Sequence, residues 1–557
     1  MKRFFDFPSF AVALFLCGLT SPAFGQSAAG SYIAARQAEG DRQYSIATDY
    51  YLDAIFFDPD HTASQNGAIR TLLAAGDTVL AGELAIERIE QGTHDDSGVL
   101  ALIAYAGADE DFAPIVDVLE NVELVVVGAA DRLIRAWAHL GAGDASSALD
   151  IFEDVANEPG VRLFALNHKA LALTWMGDHE GALDAYNEMS SVRGHDRRSA
   201  LANAELLGLV GQKDVAERLL LRNFGLYPDA QVDNLRARLE AGGPFDLTVS
   251  GPIDGMAELF YAIADAMNGD YVDTPVLLYA RVAQALRPDH SETLLLTAGI
   301  LEKLELHKLA REAYESIPTD DHEYYEAQLG IAETMRASGD LDGALEQLHS
   351  LTDSFGYVPG LHISIGDISR QLSDYEGAIV AYGDALDRMS SEDFQLWYVH
   401  YVRGIAHERV KDWPKADADF RRSLELRPGQ PQVLNYLGYS LVERRENLDE
   451  ALALIEEAVT AQPDNGYIVD SLGWVLYRLG KFDEAVEPME LATELMATDP
   501  IVNDHLGDVY WMVGRYFEAE FQWKRALSFD PEEAEADRIR RKLEVGLDVV
   551  LEEEADD

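Results

Sequence analysis

Three histidine–glutamate pairs in the chain raise the question of a zinc-protease site, in which two histidines four residues apart on one helix bind the metal. His407-Glu408 is followed by Lys411 where the second histidine must stand. His179-Glu180 and His322-Glu323 lack that histidine as well. None of the three pairs therefore builds this protease motif.

Asp504, His505 and Asp508 form a second polar group on one predicted helix, and together they could hold a divalent ion. The alternative is a histidine packed between helices, which we favour. The chain has no phosphate-binding loop, dinucleotide fingerprint or nucleophile elbow. We therefore predict a protein that is not an enzyme and that carries no cofactor and no metal.

Aromatic, amide and charged residues that recur in the last third indicate a different chemistry, the recognition of a peptide or protein. Tyrosine and tryptophan are enriched among binding hot spots, and neighbouring polar side chains can bond an extended backbone. The predicted binding residues are Tyr398, Tyr401, Arg409, Asn435, Tyr439, Asp470, Trp474, Tyr477, Arg478, Asp504, Asp508 and Trp511. Packing between helices is the alternative for the aromatic ones. Trp474 and Trp511 are the leading groove candidates, whereas Trp523 is expected to pack.

A repeat must position these residues, because four glycines follow one another at intervals of 34, 35 and 34 residues. They are Gly404, Gly438, Gly473 and Gly507, and each is followed by a small residue and then a bulky one: Ala416 and Phe420, Ala451 and Ile455, Ala485 and Met489, Ala519 and Trp523. Small residues let two helices approach closely, and the bulky residue fills the gap between neighbouring pairs. This period predicts stacked helical pairs whose first helices, here called A helices, line a concave face.

The period and its marks resemble the tetratricopeptide repeat, most clearly over 398–531 and more loosely upstream. The resemblance implies an all-α solenoid of helix-turn-helix repeats wound as a right-handed superhelix, with roughly fourteen pairs. Some such domains grip a terminal carboxylate with paired lysines and asparagines. A lone Asn435 among aspartates cannot make that clamp.

Longer sequence motifs make the last third of the chain similar to a proteobacterial family of exported tetratricopeptide proteins. They are Asn435-Tyr436-Leu437-Gly438, Asp470-Ser471-Leu472-Gly473-Trp474 and His505-Leu506-Gly507-Asp508. The resemblance implies an adaptor that links a periplasmic carboxyl-terminal processing protease to cell-wall hydrolase substrates. The alternative is a structural component of an outer-membrane or exopolysaccharide assembly system.

The N-terminus has the pattern of a secretory signal peptide over 1–25: Lys2 and Arg3, an apolar stretch, and small residues at Ala23 and Gly25. We therefore expect an exported, periplasmic protein. Cys17 is the only cysteine, and Leu16 before it departs from a lipoprotein signal, so an outer-membrane anchor is the less favoured alternative. No later stretch is long and apolar enough for a transmembrane helix.

The formal net charge of −55 argues against nucleic acid and anionic membrane surfaces as partners, because like charges repel. The predicted organisation is a signal peptide (1–25), an N-terminal array (26–231), a Gly/Pro-containing break (232–255), a C-terminal array (256–531), and a capping helix with an acidic tail (532–557). The break is either a passive insertion, or a hinge or loop that reaches into the groove.

Overall fold

The computed structural model describes residues 27–556 except 94, 123, 125–128, 193, 226–229, 246 and 270–273. The predicted signal peptide and Cys17 lie outside the described residues. All regular elements in the described ranges are helices, which confirms the predicted all-α solenoid of helical pairs. The chain forms two compact units, Met1–Ser338 (unit 1) and Gly339–Asp557 (unit 2). The predicted domain boundaries themselves stay a prediction.

Unit 1 contains eighteen helices in its described ranges. They are α1 (Ala28–Gly40), α2 (Tyr44–Phe57), α3 (Thr62–Ala75), α4 (Thr78–Glu90), α5 (Asp96–Ala108), α6 (Phe112–Leu119), α7 (Ala129–Gly141), α8 (Ala145–Ala156), α9 (Arg162–Met176), α10 (His179–Val192), α11 (Arg197–Leu209), α12 (Lys213–Phe224), α13 (Ala230–Ala241), α14 (Pro252–Met267), α15 (Thr274–Leu286), α16 (Ser291–Lys303), α17 (His307–Glu315) and α18 (Tyr324–Ala337).

Unit 2 contains fourteen helices among its described residues. They are α19 (Leu341–Ser350), α20 (Thr352–Phe355), α21 (Pro359–Gln371), α22 (Tyr375–Leu386), α23 (Leu396–Arg409), α24 (Trp413–Leu426), α25 (Pro431–Glu443), α26 (Leu448–Ala461), α27 (Gly466–Arg478), α28 (Phe482–Leu495), α29 (Pro500–Met512), α30 (Tyr516–Leu527), α31 (Glu533–Val545) and α32 (Leu547–Asp556).

The repeated glycines lie where two helices of a pair touch, as their spacing predicts. A Cβ atom on Gly404 would lie 2.7 Å from the ring of Phe420, and one on Gly473 would lie 2.5 Å from Met489. The same close approach joins Gly507 to Trp523 at 2.4 Å. No real Cβ fits at such distances, so glycine is required for the pair to close. The bulky partners are fully buried against the glycine of their own pair. The Phe420 ring also lies 6.1 Å from the ring of Tyr436 in the next pair, which is the gap that it is predicted to fill.

The A helices of unit 1 are covered by helices that come later in the same unit. Helix α15 packs against α3 and α5, and α14 packs against α7 and α9. A Cβ on Gly255 of α14 would lie 2.3 Å from the indole of Trp137 on α7, so the two helices are in direct backbone-to-ring contact. A Cβ on Gly107 of α5 would likewise lie 2.4 Å from the side chain of Leu286 on α15. The helical hairpin α14–α15 therefore fills the space that an open array would leave for a partner.

Polar contacts hold both helices of this hairpin. The Nε of Arg281 on α15 donates to the carbonyl of Ala74 at 3.2 Å. Arg198 of α11 forms a two-pronged ion pair with Glu258 of α14, which is 3% exposed. Burial raises the pKa of the Glu258 carboxyl, but the charge and hydrogen bonds of Arg198 outweigh it and hold that pKa below its ordinary value.

The predicted break packs onto the array. The ring of Phe245 lies against Gly208 of α11. The amide and hydroxyl of Thr248 both donate to Glu205 on that helix, at 2.9 and 2.8 Å. Arg287 Nη1 donates to the Thr248 carbonyl at 3.2 Å. The segment therefore ties α11 to the end of α15.

Candidate protein-binding groove

Unit 2 carries a groove of about 580 Å³ along the A helices α23, α25, α27 and α29. Each of these helices contributes residues from one repeat, so the groove runs across four successive pairs. Its lining is Glu408, Arg409, Gln432, Asn435, Tyr436, Tyr439, Ser440, Asn465, Tyr467, Ile468, Asp470, Ser471, Asp499, Ile501, Val502 and His505. Four of the predicted binding residues are among them: Arg409, Asn435, Tyr439 and Asp470.

Apolar side chains in the groove are open to solvent. Tyr467 is 64% exposed and Ile501 is 44% exposed. Both stand near the start of their helices, one repeat apart, where α27 and α29 begin. Exposed large side chains in a concave surface are typical of a binding site, because a partner can bury them.

Asn435 supplies unsatisfied hydrogen-bonding capacity at the centre of the groove. Its Oδ1 atom is shielded from solvent and accepts no hydrogen bond from any residue that the structure describes. A shielded amide oxygen without a donor is costly. Asn435 as a whole is half-buried and lines the groove, so a rotation of its amide that turns this oxygen outward would let an extended peptide supply the missing N–H. The geometry therefore suits a backbone contact at this position.

The groove is weakly acidic. Arg409 Nε lies 3.6 Å from Glu408, so its charge is locally compensated, while Asp470 and Asp499 add two further carboxylates. Burial raises the pKa of Glu408, with Arg409 opposing and Glu443 adding to the rise. Burial, followed by the charges of Glu443 and Asp470, also raises the pKa of the Tyr439 phenol.

Tyr398 and Tyr401 lie on α23 outside the groove lining. The Tyr401 ring meets Tyr436 edge-on at 5.6 Å and also approaches Phe420. The hydroxyl of Tyr398 donates to Asp367 of α21 at 3.4 Å. The structure thus places both tyrosines in contacts between neighbouring helices.

Trp474 lies between two rings instead of facing the groove. It is 8% exposed and stacks on Tyr477 at 4.7 Å and on His505 at 4.0 Å. Its Nε1 donates to Glu443 at 3.1 Å, and the Arg478 guanidinium lies 5.8 Å from the ring. The stack joins α27 to α29, since Trp474 and Tyr477 belong to the first helix and His505 to the second.

His505 is held in this stack by Asp470. The two side chains are 3.1 Å apart and buried. Burial by itself lowers the pKa of the imidazole, but the carboxylate of Asp470, helped by Asp504 and Asp508, raises it above the ordinary histidine value. His505 is therefore a buried ion-pair partner at one edge of the groove.

Asp504, Asp508 and Trp511 contact the C-terminal helices. Lys542 of α31 is fully buried and donates to Asp504 at 2.7 Å and to Asp508 at 2.6 Å. Trp511 Nε1 donates to Asp548 of α32 at 3.1 Å. The three residues therefore hold the last helices in place, and the Lys542 ammonium takes the position between the carboxylates that a metal ion could have taken.

Eight of the twelve predicted residues thus lie outside the groove lining, although whether any of the twelve binds a partner stays a prediction. Gln432, Tyr467 and Ile501 had the right spacing to face the groove but were left out of the predicted set. Asn465 and Asp499 also line the groove, and the spacing used for the predicted binding residues does not include them. They precede α27 and α29 by one residue and cap their first amides, and their own spacing of 34 residues was the available signal.

Comparison with known proteins supports the repeat assignment for part of the chain. The tetratricopeptide repeat family model matches residues 401–466 and 444–500. Residues 401–500 are tetratricopeptide repeats. The groove helices α25 and α27 lie within this range, and α23 and α29 overlap its two ends. Tetratricopeptide repeats form protein-binding scaffolds, and this description applies to residues 401–500.

One curated relative is the TPR repeat-containing protein PA4667 of Pseudomonas aeruginosa, 28% identical over 165 residues. The match covers 29% of this chain and 27% of that protein, so the chain spans about a quarter of the relative's length.

Solved structures with similar helices include MamA MSR-1, which is 24% identical, covers 31% of this chain and 96% of its own, and has a TM-score of 0.26. The APC/C hetero-tetramer Cut9–Hcn1 covers 93% of this chain and 96% of its own at 14% identity, with a TM-score of 0.38. Among the described helices none has the length and hydropathy to cross a membrane.

Proposed function

We propose that this chain is an exported scaffold that binds an extended segment of a partner protein in the groove of α23–α29. The observation that carries the proposal is the exposed apolar pair Tyr467 and Ile501 beside the unsatisfied Asn435 amide, all lining one concavity. Apolar anchors next to a backbone-bonding amide suit an extended peptide better than a rigid globular surface.

The finer proposal is an adaptor for a periplasmic carboxyl-terminal processing protease, with cell-wall hydrolases as its substrates. It rests on the sequence motifs around Gly438, Gly473 and Gly507, which resemble those of exported proteins with that role. Export rests on the pattern of residues 1–25. An adaptor needs a surface that accepts an extended substrate, and the groove would serve as that surface.

A photo-crosslinking amino acid at position 467 tests the groove directly. In the native host, position 467 should capture one or a few partner proteins. The matched control is position 357, because Tyr357 is also an exposed tyrosine of unit 2 (73%) and lies outside the groove lining. Equal capture at both positions, or none at 467, overturns the groove assignment.

Reconstitution tests the adaptor role. The purified chain should accelerate cleavage of a cell-wall hydrolase by the host's processing protease, and Tyr467→Ser should weaken that effect while Tyr357→Ser leaves it intact. If the wild-type chain does not change cleavage, the adaptor role is wrong. If both variants accelerate cleavage equally, the role stands and the groove is not where the partner binds.

A further inference from the structure

A second polar cavity, of about 290 Å³, lies in unit 1 between α11, α13 and the N-terminal end of α16. Arg198, Arg287 and His290 line one side of it, and Glu292 and His322 lie at another. This cavity is separate from the tetratricopeptide groove of unit 2.

At its edge, Glu292, His322 and Glu323 bring three ligand atoms within 4.8 Å of one another. Glu292 stands in the first turn of α16, and His322 and Glu323 lie just before α18. One imidazole and two carboxylates form a ligand set that suits zinc and related divalent ions, and catalytic zinc sites use three protein ligands of these types.

The surroundings of His322 orient its ring for such a role. Its Nδ1 lies 3.3 Å from Asp321 Oδ1, and its Nε2 lies 3.4 Å from Glu323 Oε1. A carboxylate that receives one ring N–H directs the lone pair of the other nitrogen toward an ion. Asp321 is itself fixed, because the Ser291 hydroxyl and the Glu323 amide both donate to it.

Glu292 is held in the same way. Gln231 donates to its Oε1 at 2.8 Å, and Arg198 donates to its Oε2. Ligating carboxylates ordinarily carry such supporting hydrogen bonds. The Arg198 charge opposes a cation, and Arg197, Arg238 and Arg287 also line the cavity. Arg198 is shared between Glu258 and Glu292, and Arg287 pairs with Asp254, while Asp321 and Glu323 add two carboxylates beside His322.

Access is open, since the His322 side chain is 36% exposed and lines the cavity. We propose that Glu292, His322 and Glu323 bind one divalent transition-metal ion, with a remaining coordination position open to the cavity. Because the ligands come from α16 and from the turn before α18, the bound ion joins these two segments.

The test uses the full-length chain, stripped of metal with a chelator, and Zn²⁺ alone as the probe. Calorimetry in the presence of a competing chelator should show about one equivalent of tight binding above the weak background of an acidic protein. His322→Ala combined with Glu323→Gln should lower that affinity by at least ~10-fold. Co²⁺ in place of Zn²⁺ should give visible absorption bands of a low-symmetry site in the wild type.

The matched control is His179→Ala with Glu180→Gln, because this pair is also a surface histidine–glutamate dipeptide of unit 1. It should leave Zn²⁺ binding unchanged. The isosteric Glu323→Gln alone decides the result if the double variant is less stable. Equal binding by wild type and site variants, or an equal loss in the control, overturns the site.

Discussion

The two units are built from the same helical pair but use their A helices differently. In unit 1 the hairpin α14–α15 lies on α3, α5, α7 and α9, and the buried Arg198–Glu258 pair anchors it. In unit 2 the corresponding surface of α23–α29 carries a groove with Tyr467 and Ile501 exposed. A repeat pattern therefore predicts the existence of a concave face but not whether the chain itself occupies it.

The contrast also appears in side-chain character. Helix α14 buries Met256, Leu259, Phe260 and Ile263, with no solvent-facing apolar stripe left over. The lining of the unit 2 groove mixes amides, carboxylates and aromatic rings instead. A partner should thus leave the A helices of unit 1 unchanged, whereas unit 2 has side chains that gain by being covered.

The largest expected effect is on the anchor of the unit 1 hairpin. Glu258→Ala removes two charge-assisted hydrogen bonds of Arg198, which keeps Glu292 as a partner, so α14 should lose about 3 kcal/mol of stability. Denaturant-dependent hydrogen exchange on α14 peptides measures this, with unit 2 peptides as an internal reference. Glu240→Ala, at an exposed position of α13, should change little. A loss of less than about 1 kcal/mol at α14 would show that the pair does not anchor the hairpin.

The next largest effect on stability is expected where the backbone of Gly255 on α14 meets the ring of Trp137 on α7. Gly255→Ala drives a methyl group into the rigid Trp137 indole and should destabilise unit 1 by about 1–3 kcal/mol. Gly299→Ala in α16 is the control, because nothing lies within 4 Å of its added Cβ, and alanine favours a helix by up to ~1 kcal/mol. Urea unfolding compares the two. Equal stability of both variants contradicts the close packing of α14 on α7.

Two buried histidines, His168 and His505, should contribute to stability with opposite pH dependence. Burial lowers the pKa of His168 in unit 1 to about 4. As the pH falls from 7.5 to 5, the unfolded chain takes up a proton at His168 that the folded chain does not, so this residue's contribution to the free energy of unfolding falls by about 2 kcal/mol. The raised pKa of His505 works the other way, because its contribution is complete at low pH and is lost as the pH rises through the folded-state pKa.

Urea unfolding of the wild type, His168→Gln and His505→Gln at pH 5 and pH 7.5 separates the contributions of the two histidines to the free energy of unfolding. His168→Gln should remove the loss of stability that this histidine causes at pH 5. His505→Gln should remove the stabilisation that the wild type gains at pH 5. The same sign of change in both variants would contradict the assignment of opposite environments.

The smallest stability effect is expected in the groove. Tyr467→Ser removes an exposed ring, so the free energy of unfolding should move by no more than about 0.5 kcal/mol. Partner affinity should nevertheless fall, because the ring is available to be buried. Thermal unfolding beside the crosslinking yield at a second groove position, Gln432, measures both. A stability loss as large as that of Gly255→Ala would make Tyr467 a packing residue.

The helical pairs could be predicted from the sequence, because Gly404, Gly473 and Gly507 are each followed by one bulky residue at the same interval along the chain. It was less informative about which aromatic rings face the groove. Trp474 has the spacing of a groove residue, yet the ring of His505 one repeat later covers it. The exposure of a ring depends on which side chains of neighbouring helices cover it, and the spacing of residues along one helix does not predict this.

One of two long-range features had a sequence signal that follows the period. Asp508 and Lys542 are 34 residues apart, which places them on adjacent first helices and brings them together. The filling of unit 1 was harder to foresee, because α14 has the same helical pattern as the array. Its buried residues run from Gly255 to Phe260 and include Ile263 and Ala264, but the sequence does not say which surface buries them.

The most direct test of the central claim is hydrogen exchange on the full-length chain with and without the partner captured at position 467. The account predicts slower exchange in the A helices of unit 2, strongest in α25 and α27, with α3, α5, α7 and α9 unchanged. Protection of the unit 1 helices, with α14 and α15 exchanging faster as they leave the array, would contradict it.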